Sequence, residues 1–267
     1  ELAGPENVDG LVIWSGALCH RVDLPVITDF CRRYLPLPMV TIGHPPLEGI
    51  PGVMLDNYQG MHDVITHLVE FHALTRIAFI RGPQPQPEAE QRYQAYLDVL
   101  AEHGIPHDPA LVVDGNFKES GGTAAVGELL DVRGVRFDAL VAAADNMAHG
   151  AMKALQRRGL RIPADVAVAG LNDELQSRFS TPPLTTATFR SYEMARQAAE
   201  MLLALLDGRP VPARVLLASR LLVRQSCGCP DPLVSEAAEM PPHTHDRPLA
   251  GGLVARRPAI LSRMAEC

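Results

Sequence analysis

Residues 137–173 constrain the fold more than any other stretch of this chain. An apolar run at 139–144 ends in the polar pair Asp145–Asn146. An amphipathic helical pattern follows and stops at Gly159; a second apolar run at 166–171 ends in Asn172–Asp173. Two short buried strands joined by a helix pair in parallel, because a helical crossover brings the second strand back in the same direction. In sheets of that kind ligands collect at the carboxyl ends of the strands. The two polar pairs lie at such ends, so the block predicts a small-molecule pocket.

The same alternation runs through most of the chain. Apolar runs predict strands at 8–15, 38–43, 53–56, 76–81 and 111–114, besides 139–144 and 166–171. The helix after Asp56 places Met61, Val64, Ile65 and Leu68 on one face, with Asp56 or Asn57 able to cap it. Further helices are predicted at 88–103, where Gly104 supplies the stop, and at 121–130, 146–158 and 192–206. Residues 185–189 read as extended and 214–225 as a terminal pair of strands. A loop rich in Pro and Gln at 83–87 separates two runs of such units. The predicted class is α/β, with two Rossmann-like lobes of parallel sheet and a cleft between them. The first lobe would hold 1–81 and 185–208, and the second 82–184 and 209–229. The crossovers near Gly82 and at 180–186 would be hinges. Residues 230–267 lose the periodicity and gain prolines, which reads as a linker or disordered tail.

Composition excludes several classes. No apolar run is long enough to span a membrane, and the start carries no basic and apolar leader, which points to the cytoplasm. The formal charge of −7 and the scattered basic residues argue against DNA binding by this chain alone. Five cysteines without framework spacing suit a reducing compartment. Cys227-Gly-Cys229 is too close for the usual zinc pairing, and no second Cys/His pair completes four ligands. The reading is therefore free thiols, with no metal and no cofactor. His243 and His245 read as solvated tail residues. No nucleophile elbow, phosphate-binding loop or catalytic triad order is present, so no enzymatic activity is expected.

The pieces, in their order, resemble the effector-binding domain of LacI/GalR-type transcriptional regulators, which has the type I periplasmic-binding-protein fold. The resemblance rests on VDGLVI at 8–13, VMLDNYQG at 53–60 and His67-Leu68. It continues with RIAFI at 76–80, RYQAY at 92–96, the 137–173 block, TPPLTT at 181–186 and LLVRQS at 221–226. It covers residues 8–226. It implies a non-catalytic sensor that closes on a small polar metabolite (a sugar, a nucleoside or a small acid) and relays closure to an output domain. It also implies a homodimer, and DNA contact only through a helix-turn-helix that is not in this chain. The chain departs from the family in two ways. The family's two opening strand–helix units are not here, so the first lobe is expected to be incomplete. Ala144 stands where the family frequently has an Asn that bonds a sugar hydroxyl. The wording around GPENVDGL and RQSCGC is closest to a subgroup in which the same sensor precedes diguanylate cyclase or histidine kinase modules. An α/β enzyme acting on a sugar or nucleotide is the alternative of another class.

Six residues are candidate ligand contacts. The resemblance gives Arg92 the role of a planar fork for hydroxyls or carboxylates; an ion pair with Glu88 or Glu90 on a solvated face is the structural alternative. Phe117 either stacks on a ligand ring or packs ordinarily. Trp14 and Ser15 end a strand that points at the cleft, though a lone Trp is also a common core or lobe-interface residue. Asp145 either caps its helix or faces the ligand. Asn172, where the family commonly has Asp, can donate and accept, and suits a hydroxylated or base-like ligand. His44 follows another strand end and reads as a surface turn residue.

Overall fold

Short strands followed by amphipathic helices build two parallel sheets. A computed structural model describes residues 7–18, 22, 24–43 and 48–230. His44 and residues 231–267, including the predicted tail with His243 and His245, lie outside the described residues.

The first sheet opens with β1 (Leu11–Ile13), a single turn α1 (Ser15–Leu18), α2 (Leu24–Arg33), β2 (Met39–Ile42) and β3 (Gly52–Leu55). The chain then crosses along α3 (Asn57–Thr66) to β4 (Ile77–Arg81) and α4 (Pro87–Glu102). There follow β5 (Val112–Asp114), α5 (Glu119–Gly127), β6 (Ala139–Ala142), α6 (Asp145–Arg157), β7 (Ala167–Ala169) and α7 (Leu175–Phe179). Last come β8 (Thr186–Ala187), α8 (Ser191–Leu206), β9 (Arg214–Leu217) and β10 (Leu221–Leu222). The first sheet has the order β1-β2-β3-β9 and the second β5-β4-β6-β7, all pairs parallel. β8 and β10 form an antiparallel pair, and Thr185 bridges Ala169 beside the second sheet.

The amphipathic reading of α3 holds: Met61, Val64, Ile65 and Leu68 are fully buried. Burial of each such side chain stabilises by about 1.5–3 kcal/mol before entropy is counted. Asp56 is the cap, its Oδ1 accepting from the Gln59 amide at 2.9 Å. α2 was not foreseen; it buries Ile27 and Cys31 in a small separate cluster with Ile13, Met39 and Ile50. On the outer side of this unit Val12, Val26 and Phe30 are exposed, and β1 is the edge strand of the described sheet.

The proposed lobe boundaries need correction at three places. β4 (77–81) pairs with β5 and β6, so the first crossing to the second sheet is at Asp56 and not at 81–82. Arg214–Leu217 pairs with β3, so it belongs to the first sheet and does not form a pair with β10. Residues 185–187 lie beside β7 in place of the first lobe. The crossings are therefore Asp56, 188–190 and 218–220, which also displaces the hinges expected near Gly82 and at 180–186. The three crossings are tied together: Asp56 N donates to Leu217 O at 2.9 Å, Ser219 Oγ to Thr188 O at 2.8 Å, and Thr188 N to Arg220 O at 2.9 Å. The Pro/Gln-rich loop at 83–87 is a strand exit within the second lobe.

Candidate ligand-binding cleft

The strands of both sheets point their carboxyl ends at one cleft of about 550 Å³. β1 supplies Trp14, and Gly16 and Ala17 follow it; Gly43 follows β2. On the other wall Pro83 follows β4, Asn116 and Phe117 follow β5, Ala144 and Asn146 follow β6, and Asn172 follows β7. Gln86, Glu88 and Arg92 come from the start of α4, and Phe189 from the second crossing. The volume lies within the range of about 300–1,000 Å³ common for small-molecule sites.

Arg92 is only 4% exposed, so it is not on a solvated helix face. Its Nε and Nη2 donate to Asn57 Oδ1 at 2.9 and 2.7 Å, and its Nη1 donates to Ala143 O. Glu90 pairs instead with Arg81. Burial holds the Arg92 guanidinium down at about 10, with Glu88 and Asp145 acting in the opposite direction. A guanidinium has five N–H donors, and three are committed here, so two remain for the cleft.

Phe117 sits 5.9 Å from the guanidinium carbon of Arg92 to its ring centre. Its own backbone is left-handed, φ 59°. Its amide hydrogen points at Met147 Sδ at 3.3 Å. The ring lies so close to Gly82 that a Cβ there would overlap it. Asn172 is also at positive φ, 143°, and its amide donates to Ala187 O at 2.9 Å. The Asn172 side chain donates to Glu174, whereas Asn172 Oδ1 is buried with no hydrogen-bond partner in the protein. Buried acceptors are nearly always satisfied, so an orphan on a cleft wall marks a place for a ligand donor.

The structure therefore brings Trp14, Arg92, Phe117 and Asn172 to one cleft, and leaves two of the sequence candidates out of its lining. Ser15 Oγ is turned inward and donates to Ile42 O at 3.0 Å. Asp145 is fully buried behind the wall, and it is neither a cap nor a lining residue: Ala144 occupies the cap position. The Asp145 carboxylate accepts from Ser177 Oγ at 2.6 Å, Thr186 Oγ1 at 2.7 Å and the Glu174 amide at 3.0 Å. Burial pushes its proton affinity up, and these hydrogen bonds work against that shift. Gln86, Asn116 and Lys118 line the cleft without having been candidates, as does Asn146, which the sequence marked only as part of a polar strand-end pair. Their signal was present, since polar residues follow the ends of β4, β5 and β6. Asn57 was read as an alternative cap; its role is to hold Arg92.

One sequence reading fails outright. Cys227 and Cys229 do have a Cys/His pair to complete four candidate ligands: His67 and His72 come against them at the far end of α3.

The family described as "Periplasmic binding protein-like domain" matches residues 65–227, more than half of the chain. The chain belongs to that family. Among its relatives, the HTH-type transcriptional regulator GalR of Escherichia coli K12 is 40% identical over 65% of this chain and 50% of its own length. The HTH-type transcriptional regulator CelR of Thermobifida fusca is 36% identical over 84% of this chain and 65% of its own. The solved transcriptional regulator CelR–cellobiose complex has a TM-score of 0.69 at 34% identity, covering 83% of this chain and 66% of that one. The periplasmic-binding-protein-like domain described here is thus of the LacI/GalR sensor type. It spans half to about two thirds of the curated regulators it matches. Among the described residues no helix is long and apolar enough to cross a membrane.

Proposed function

We propose that this domain is the sensor of a LacI/GalR-like transcriptional regulator and that its cleft holds a neutral polyhydroxylated ligand, a saccharide. The observation that carries this reading is the buried, unpartnered Asn172 Oδ1 on a wall that also presents Arg92, Asn146 and Gln86. A hydroxyl can donate to Asn172 Oδ1 and accept from Arg92 at once. A carboxylate could use Arg92 but not an acceptor amide oxygen. Trp14, Phe117 and Phe189 add flat apolar faces of the kind that cover the C–H faces of a sugar ring. A transcriptional regulator CelR solved with cellobiose is 34% identical to this chain.

The two walls differ in chemistry, which suggests how binding is relayed. Among the described residues the first lobe contributes one indole and three small residues, Gly16, Ala17 and Gly43. The second lobe contributes the amides and charges. A ligand would be held by the second lobe and covered by Trp14 only when the lobes approach. Its extra contact in the closed state is the differential affinity needed to shift the equilibrium. Asp56, 188–190 and 218–220 are the segments that bend. DNA binding would belong to a helix-turn-helix elsewhere in the full protein, and the working unit would be a homodimer; no catalytic step is invoked.

The test is a thermal-shift screen of mono- and disaccharides, nucleosides and small acids, followed by calorimetry on each hit. A saccharide hit that is abolished by Arg92→Ala and weakened by Asn172→Ala is the expected result. A response to carboxylates alone, or a saccharide response indifferent to both variants, overturns the reading.

A further inference from the structure

We propose that His67, His72, Cys227 and Cys229 form a structural zinc site, which fastens the end of the sensor domain to α3. The site is separate from the cleft and does not depend on what the cleft binds.

The four candidate ligand atoms lie within 4.8 Å of one another. Both cysteine Sγ atoms are 3.5 Å from His67 Nε2, and Cys229 Sγ is 3.4 Å from His72 Nε2. Zinc bond lengths of about 2.3 Å to sulfur and about 2.0–2.1 Å to nitrogen at tetrahedral angles give an S···N separation of about 3.5 Å. The observed spacing is compatible with a shared metal, and equally with S–H···N contacts among the four side chains, which is why the metal itself must be counted.

Local backbone features bring the four together. After Thr66 the helix widens over His67–Phe71 into a turn with i→i+5 hydrogen bonds. Residues five apart then lie on one side, and the His67 and His72 rings stand edge to face at 5.0 Å between centres. Ala73, left-handed at φ 53°, ends the helix directly after His72. On the other strand of the site, Gly228 has φ 109°, which folds the chain so that Cys227 and Cys229 face the same point. A Cβ on Gly228 would meet the His72 ring at an ordinary 3.4 Å contact, so it is the left-handed conformation of the turn that calls for glycine. That turn overcomes the short Cys-x-Cys spacing.

The chemistry of the donor set selects the ion. Two thiolates and two imidazoles in a tetrahedron favour zinc over harder cations, and four protein ligands leave no open position, which fits a structural role. Each thiol must give up its proton to solvent as the metal binds. The consequence for the fold is specific. α3 begins with Asn57, which holds Arg92 at the cleft, and ends at the cluster. Zinc would thus fix the far end of that helix to the segment where the sensor ends, at Cys229.

The experiment uses the whole 267-residue chain, purified reduced with zinc supplied. Metal is counted by mass spectrometry, and the metal-free protein is titrated with cobalt(II). About one zinc per chain, and intense visible cobalt bands with sulfur-to-cobalt charge transfer, are expected. Cys229→Ser and His67→Gln should lose both signals. His243→Gln, His245→Gln and Cys267→Ser should keep them. Chelation should lower the melting temperature of the wild type and leave that of Cys229→Ser unmoved. Zinc below about a tenth of an equivalent with no tetrahedral cobalt spectrum, a Cys227–Cys229 disulfide in the reduced preparation, or zinc retained in Cys229→Ser would each overturn the proposal.

Discussion

Arg92 grips one oxygen of Asn57 with two of its nitrogens, Nε at 2.9 Å and Nη2 at 2.7 Å. Asn57 is the first residue of the crossing helix α3, and Arg92 lies one turn into α4, so the contact locks the two helices where they meet the cleft. A buried cation depends on every acceptor it has, and this one is already pushed down to about 10 by burial. Removing Asn57 Oδ1 leaves buried guanidinium hydrogens unpaired. Asn57→Ala should therefore destabilise the fold by about 2–3 kcal/mol. Urea unfolding at pH 7 should show a lower midpoint with an unchanged slope.

Gly82 sets the position of Phe117. A Cβ at Gly82 would overlap the Phe117 ring and come within 2.6 Å of Ala89 Cβ. Neither neighbour can yield cheaply, because Phe117 is held in a left-handed backbone and Ala89 is buried in α4. Gly82→Ala should cost about 1–3 kcal/mol of stability. It should also weaken ligand binding by displacing the ring. Calorimetry with the best saccharide, alongside thermal melting, separates the two effects; unchanged affinity would show that Phe117 packs without touching ligand.

How much of this was legible in the sequence follows the range of the interactions. The alternation of strands and helices, the inner face of α3 and the polar strand ends come from patterns within about twenty residues, and they were readable. The partner of each strand was not. Nothing local in Arg214–Leu217 says that it pairs with β3, or in 77–81 that the chain has already crossed to the second sheet. Side-chain direction was also hidden. Ser15 and Asp145 stand at strand ends facing the cleft, yet local turns send both inward to Ile42, Ser177 and Thr186. The Cys/His cluster joins residues 160 apart, and it is the positive φ of Gly228, which no local pattern announces, that turns the two cysteines of the short Cys-x-Cys spacing to one side.

Ala144 offers a gain-of-function test. It lines the cleft with Arg92 and Asn172, and it is the position at which the resemblance leads one to expect an amide. Ala144→Asn would place a donor and an acceptor beside the ligand hydroxyls. One added hydrogen bond contributes about 1 kcal/mol, or about fivefold in affinity. Calorimetry should show tighter saccharide binding, and melting of the ligand-free protein separates this from any change in stability, since Ala144 is 2% exposed and occupies the cap position of α6. Weaker binding would mean that the ligand already fills the space above Ala144.

His149 predicts a pH effect on stability. It is buried on α6, with Nε2 3.1 Å from Ser177 Oγ, the hydroxyl that also donates to Asp145. Burial holds its proton affinity below the ordinary 6.5, against the pull of Asp145 and Glu119. The folded state then binds fewer protons than the unfolded state as pH falls through about 6.5. The stability contributed by neutral His149 is present above that pH and is lost below it, by up to about 1.4 kcal/mol per pH unit. Asp145 acts the other way, because burial raises its proton affinity in the folded state, but it is present in both proteins when wild type is compared with His149→Gln. Urea unfolding at about pH 7.5 and about pH 5.5 should show the wild type losing about 1 kcal/mol relative to the variant between the two. A difference independent of pH would mean that His149 takes up its proton in the folded state as readily as in the unfolded one, and that its contact with Ser177 survives protonation.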